Sequence, residues 1–281
     1  MGRYENIRVF EDTQFLCGSN PVLKKAVQKS IENQKLILEG DVYPSSSGRR
    51  IYDMPAKINV SGRRSFSAAL QYSGSRVCVL NFASATNPGG GVTRGSSAQE
   101  ECLCRCSTLY ALLNTKVMWD GFYGPHRRTR NPLHNDDCVY TPDIIIFKTD
   151  TSEPRIQPER MWSTVDVLTC AAPNLRVRPG NEMNPGEGDE QVIISNSELQ
   201  KLQEKRIRRI SDIAVENGAE VLILGAFGCG AFQNPPEIVA MAMRNVIEEY
   251  KYCFKVIEFA VYCSPRDDEN YRVFSRIIDQ R

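Results

Sequence analysis

Val77-Cys-Val-Leu-Asn-Phe-Ala-Ser-Ala-Thr-Asn-Pro-Gly-Gly-Gly-Val-Thr-Arg-Gly-Ser-Ser-Ala-Gln-Glu-Glu101 places a strand, a glycine loop and a helix start in immediate succession. The continuous apolar run Val77–Phe82 suits a parallel strand buried on both faces. Gly89, Gly90 and Gly91 let the backbone take φ > 0 and come close to a ligand. A strand, a loop and a helix N-terminus together form an anion-binding corner. The adjacent carboxylates Glu100 and Glu101 are more than a phosphate cradle needs. They point to acid/base chemistry on a phosphorylated ligand rather than to binding alone. A structural account competes with this. Ser97-Ala-Gln-Glu100 has the form of a capping box, with Ser97 at the N-cap and Glu100 returning to its backbone N–H. The helix dipole would account for a lone Glu101 in the first turn.

Outward from this stretch, strand and helix patterns alternate. Asn20–Ile31 has helical spacing with Pro21 in its first turn. A helix is expected from Ala98 to about Asn114, then a loop over 118–137. Val139–Phe147 and Asp166–Ala172 read as strands, and 174–190, rich in Pro, Gly, Asn and Glu, as a surface excursion. A helix over Glu198–Asn217, ended by Gly218, leads to the strand Glu220–Leu224. A helix then runs from Pro235/Pro236 to about Tyr250, followed by a strand over Val256–Tyr262 and a closing helix over Asp268–Ile278. The alternation argues for one α/β domain over 1–281, layered helix–sheet–helix around a mixed, largely parallel sheet. Residues 1–55 are expected to form an N-terminal helical extension packed on it.

Composition narrows the partners. Lys+Arg 35 against Asp+Glu 34 gives a net charge of +1, so no global field draws the chain to nucleic acid or to a membrane. No apolar run approaches the roughly 20 residues of a membrane span, and the first residues have no hydrophobic signal core. Asn6 argues against myristoylation at Gly2. Ten cysteines without a secretion signal point to reduced thiols in the cytoplasm. Cys102, Cys104 and Cys106 lack the spacing of a zinc site. Only two histidines are present, His126 and His134, both in a polar loop, so a metal site or a His-based triad is not expected. The basic cluster 205–209 reads as solvated helix surface.

A second glycine loop, Gly225-Ala-Phe-Gly-Cys-Gly-Ala-Phe232, follows a strand as the first does. In open α/β sheets ligands bind beyond the carboxyl ends of the strands, so the two loops can face one ligand. Neither has the P-loop or the dinucleotide pattern. Backbone N–H groups of Gly228, Cys229, Gly230 and Ala231 suit a diphosphate. Phe227 and Phe232 offer faces for sugar or base; a tight turn with core aromatics is the structural alternative.

A triple glycine, a seven-residue spacer and Gln99-Glu100-Glu101 together resemble the signature of poly(ADP-ribose) glycohydrolases of the macrodomain superfamily. Gly228-Cys-Gly-Ala-Phe232 looks like that family's diphosphate loop. Asn81–Gly91, Leu109-Tyr110, Tyr140–Asp143 and Ala171–Leu175 look most like the compact microbial-type branch, and the resemblance covers roughly 8–280. It implies a macrodomain with ADP-ribose in a cleft at the crest of the sheet. Carried over, Glu101 matches the catalytic glutamate, Glu100 the neighbour that holds the distal ribose, and Gln99 completes the motif. Gly89, Gly90, Gly91 and Val92 would wrap that ribose, and Asn87 would reach it. Gly228, Cys229, Gly230 and Ala231 would hold the diphosphate, with Phe232 packed at the distal ribose. Tyr262 is the candidate adenine platform.

The resemblance implies hydrolysis of the ribose–ribose O-glycosidic bond of poly(ADP-ribose) with Glu101 as general acid and then base, without metal or cofactor. Poly(ADP-ribose), ADP-ribose and ADP-ribosylated proteins are the implied partners, with no direct nucleic acid and no membrane. One alternative is a macrodomain that binds ADP-ribose without cleaving it. Another is a hydrolase using Cys229 or Cys170, for which both histidines look too remote to serve as base. The segments 121–137 and 174–189 are candidates to gate the cleft.

Overall fold

The computed structural model describes residues 2–182, 184–264 and 267–279. The chain begins with α1 (Arg3–Ser19), α2 (Pro21–Asn33) and two short strands, β1 (Lys35–Ile37) and β2 (Lys57–Ser61). Next come α3 (Ser65–Ala69), β3 (Val77–Phe82), α4 (Gln99–Cys106) and α5 (Leu109–Leu113). A helical run follows: α6 (Lys116–Met118), a π turn (Trp119–Tyr123) and α7 (Gly124–Thr129). β4 (Cys138–Ile146), β5 (Ser163–Cys170), α8 (Asn196–Glu216), β6 (Val221–Leu224), α9 (Pro236–Glu249), β7 (Val256–Ala260) and α10 (Glu269–Ile278) complete the fold.

One seven-stranded sheet runs in the order β1-β4-β5-β3-β6-β7-β2. The strands from β5 to β2 are mutually parallel, whereas β4 and β1 are antiparallel additions at one edge. β3 shows why its run, Asn81 apart, is apolar. Cys78 and Leu80 enter one core with α8, α9 and α10, while Val77 and Val79 enter the other with α1, α3, α4 and α5. Both faces are covered, giving the expected three layers around a mixed, largely parallel sheet. β4 carries a bulge at Pro142-Asp143, where Pro has no N–H to give the ladder.

Several expectations need correction. The helix over 98–114 breaks at Ser107, whose extended backbone bridges to Ile146, and the carbonyl of Cys106 accepts from the N–H groups of Phe147 and Lys148. The stretch 118–137 is helical as far as Thr129, because Met118, Phe122 and Tyr123 are buried in the core. Arg206 is no surface group. It is fully buried, with Nε 3.0 Å from Asp136 and Nη1 2.8 Å from the carbonyl of Ala171. Residues 1–55 also supply an edge strand, not helices alone. α1 lies along α4, held by Asn6 Nδ2 on the carbonyl of Gly95 at 3.0 Å and Thr13 Oγ1 on that of Arg105 at 2.7 Å.

Candidate active site

A cavity of about 520 Å³ opens where β3, β6 and β7 end and α4 begins. Gly90, Gln99, Glu100, Glu101, Gly228, Gly230, Ala231, Phe232 and Tyr262 all line it, so both glycine loops and the paired carboxylates meet at one place. The side chains on α4 reach it without the expected capping box. The N-cap is Ala98, with no side-chain cap, and Glu100 turns inward instead of back to Ser97. Its Oε2 accepts the N–H of Ser84 at 2.8 Å and its Oε1 accepts from Asn81 Nδ2 at 3.2 Å. Gln99 ties the helix start to the sheet. Its Oε1 accepts the N–H of Phe82 at 2.9 Å, and its Nε2 donates to the carbonyl of Leu80 at 2.8 Å and to Ser65 Oγ at 3.0 Å. With its amide so occupied, Gln99 positions the carboxylates and has little left for a ligand.

Glu101 is 6 % exposed. Its Oε1 accepts the N–H of Gly91 at 2.9 Å, and its Oε2 has no hydrogen-bond partner among the described residues. The glycine between loop and carboxylates is required by space. At Gly90 φ is +57°, and a Cβ there would stand 2.6 Å from Glu101 Oε1 and 3.1 Å from Glu100 Oε2. Burial pushes the Glu100 carboxyl up to about 8, against the Ser84 N–H and with help from the charge of Glu101. Burial also raises Glu101, against the Gly91 N–H. The two carboxyls therefore hold a proton at neutral pH as a pair. The Oε2 of Glu101, without a hydrogen-bond partner among the described residues, is the oxygen of the pair left open to a ligand.

The second loop supplies the opposite wall. Gly228 has φ +79°, and a Cβ there would strike Ala172 Cβ at 2.6 Å and Asn234 Nδ2 at 2.7 Å. Asn234 braces the loop by donating to the carbonyls of Pro173 at 2.7 Å and Gly228 at 3.1 Å. Among the described residues, nothing accepts from the backbone N–H of Gly228, Gly230 or Ala231. Three such donors around one concavity form a nest suited to an anion. The N–H of Cys229 is not available, because it donates to the carbonyl of Ala226 at 3.1 Å.

Other predicted residues lie off the cavity wall. Phe227 is fully buried and packs against Phe82 at 5.7 Å between ring centres, so its ring is core and cannot stack on a ligand. Val92 is also core, and Asn87 Nδ2 is spent on the carbonyl of Gly90. Gly89 and Gly91 shape the loop behind Gly90, with the Gly91 N–H on Glu101. The cysteine reading loses its basis: burial pushes the Cys229 thiol well up, and Cys170 is buried at the end of β5. His134 is not remote, since its ring sits 5.8 Å from that of Phe232. Both its nitrogens are engaged, however, by the carbonyl of Ala172 at 2.7 Å and by Glu187 at 3.0 Å. Among the described residues, no group of three or more His, Cys, Asp or Glu is placed to hold a metal ion, and no helix is long and apolar enough to cross a membrane.

Sequence reading missed Asn81, Ser84, Arg64 and Asp150, as well as Arg176 and Asn184, which the excursion after Pro173 brings to the cavity. Asn81 left a signal: an amide inside an apolar strand must find partners. Arg64 and Asp150 left none, because they reach the site from separate loops.

Solved structures resemble this chain over nearly its whole length. The poly(ADP-ribose) glycohydrolase of Thermomonospora curvata superposes with a TM-score of 0.81 at 26% identity, covering 98% of this chain and 100% of that one. The same enzyme bound to the inhibitor ADP-HPD gives 0.79 at 26% identity, with 98% and 99% covered. The poly(ADP-ribose) glycohydrolase of Deinococcus radiodurans in complex with ADP-ribose gives 0.73 at 27% identity, with 90% and 97% covered. No curated protein sequence matches the chain. A family model described as the microbial-type PARG catalytic domain matches residues 4–149, just over half of the chain. The chain therefore belongs to the microbial-type poly(ADP-ribose) glycohydrolase (PARG) catalytic-domain family.

Proposed function

We infer that this protein is a glycosidase that hydrolyses the ribose–ribose O-glycosidic bond of poly(ADP-ribose) and releases ADP-ribose. One observation carries the assignment of roles: the buried, partnerless Oε2 of Glu101 lies on the same cavity as the free amides of the second glycine loop. In this reading the terminal ADP-ribose places its diphosphate on the N–H groups of Gly228, Gly230 and Ala231. Its distal ribose lies between Gly90 and Phe232, and its adenine stacks on Tyr262.

Glu101 holds a proton on Oε2 and gives it to the leaving 2′-oxygen as the bond from that oxygen to C1″ breaks. The electron pair leaves with the oxygen, and positive charge develops on C1″ and the ring oxygen. Glu100, held by Asn81 and Ser84, positions the ribose, and the bound diphosphate supplies the negative charge that stabilises the developing cation. Glu101, now a carboxylate, takes a proton from the water that attacks C1″. The products are ADP-ribose and a polymer shorter by one unit, and Glu101 is protonated again.

The substrate is carried by ADP-ribosylated proteins, which are the proposed partners. The ten free cysteines fit a reducing compartment, and we place the protein in the cytoplasm. Incubation of the purified protein with poly(ADP-ribose) should release free ADP-ribose. Tight ADP-ribose binding without release would make the protein a reader of the modification instead.

A further inference from the structure

We propose that Arg64 gates the base-stacking end of the cavity, and that Asp150 receives its guanidinium when the gate opens. The proposal rests on the reading of Tyr262 as the adenine platform. Arg64 is the N-cap residue of α3, and its guanidinium lies 4.2 Å over the centre of the Tyr262 ring. Both residues line the cavity, so the cation fills the space that a base stacked on that face would need. The other anchor of the resting position is soft: Arg64 Nη1 donates to Cys102 Sγ at 3.1 Å, and sulfur is a weak acceptor.

Asp150 supplies the second position. It is 5 % exposed and lines the same cavity. Its Oδ2 accepts the N–H groups of Phe66 at 3.1 Å and Ser67 at 3.3 Å, which fixes the carboxylate at the start of α3. Its Oδ1 is buried without a hydrogen-bond partner among the described residues. A buried carboxylate oxygen left bare is costly, and a guanidinium is the donor that best satisfies it. Arg64 stands two residues before Phe66, so its backbone is already registered to this carboxylate. In this proposal the Arg64 side chain swings from ring to carboxylate while its backbone stays in place. In the closed state Arg64 covers Tyr262; in the open state it pairs with Asp150 and the ring is free for adenine. Arg64 thus sets how tightly the adenosine end of a substrate is held, and Asp150 sets how readily the gate opens.

The test is the dissociation constant of ADP-ribose, measured by calorimetry on the full chain and its variants. Arg64→Ala frees the ring and should tighten binding about two- to five-fold, the worth of an exposed cation–π contact. Asp150→Asn keeps an acceptor for Phe66 and Ser67 but removes the landing charge, and it should weaken binding by a similar factor. In the Arg64→Ala background Asp150→Asn should have no effect, because the gate is gone. Weaker or unchanged binding by Arg64→Ala, or an undiminished effect of Asp150→Asn in the double variant, would overturn the proposal. Tyr262→Ala, made in the Arg64→Ala background, tests the platform separately. A loss of affinity there upholds the platform whatever Arg64 does; no loss removes the platform and the gate with it.

Discussion

Gly91 holds Glu101 Oε1 at 2.9 Å, while burial raises the carboxyls of Glu100 and Glu101 above their ordinary value of 4.5. A general acid must hold its proton before it can give it away. With Glu100 pushed to about 8, the pair carries its proton at neutral pH and loses it as pH rises through that region. kcat/KM on poly(ADP-ribose) should therefore be sustained near pH 7 and fall about tenfold per pH unit above about 8, an alkaline limb visible in a pH–rate profile. A rate that stays level to pH 10 would mean that no such acid is used. At this scale the sequence was informative about identity and less so about orientation. The place of Glu101 on the cavity was legible from its motif. Glu100 also fits a capping box, and only the amide of Asn81 and the N–H of Ser84, brought in from the end of β3, turn it away from that role. Phe227 and Phe232 look alike in the chain, five residues apart in one loop. The packing of Phe82 against Phe227 makes one of them core.

Among the elements, α4 matters most, and Gln99 fastens it to β3 through Phe82 and Leu80. Gln99→Ala leaves a buried N–H and a carbonyl unmet, at a cost of about 1–3 kcal/mol. That should lower Tm by about 2–10 °C and reduce kcat more than it changes ADP-ribose affinity, because both carboxylates ride on this helix. Thermal melts with steady-state kinetics check it, and an unchanged kcat would deny Gln99 its positioning role. Long amphipathic elements such as α8 and α9 were readable from periodicity. The helical run from Lys116 to Thr129 was not, because Gly121, Gly124 and Pro125 interrupt the pattern and a π turn shifts its phase. Burial of Phe122 and Tyr123 overrides those local signals.

Across the whole molecule, the N-terminal region is built into the fold that holds the site. β1 pairs with β4, β2 with β7, and α1 bonds to the carbonyls of Gly95 and Arg105 on either side of the carboxylates. Neither short strand was legible: β1 has three residues and β2 five, and both sit at sheet edges, where alternation carries little signal. Urea unfolding followed by far-ultraviolet dichroism and by tryptophan fluorescence should give coincident, single transitions. A separate early transition would mean that residues 1–55 fold as an independent unit. The central claim is that one carboxyl, Glu101, performs the hydrolysis in a cavity assembled by all these contacts. The direct measurement compares native protein with Glu101→Gln for ADP-ribose release from purified poly(ADP-ribose) and for ADP-ribose affinity. The account predicts a loss of turnover of at least about 100-fold with affinity changed less than about threefold. Near-native turnover by Glu101→Gln would contradict it.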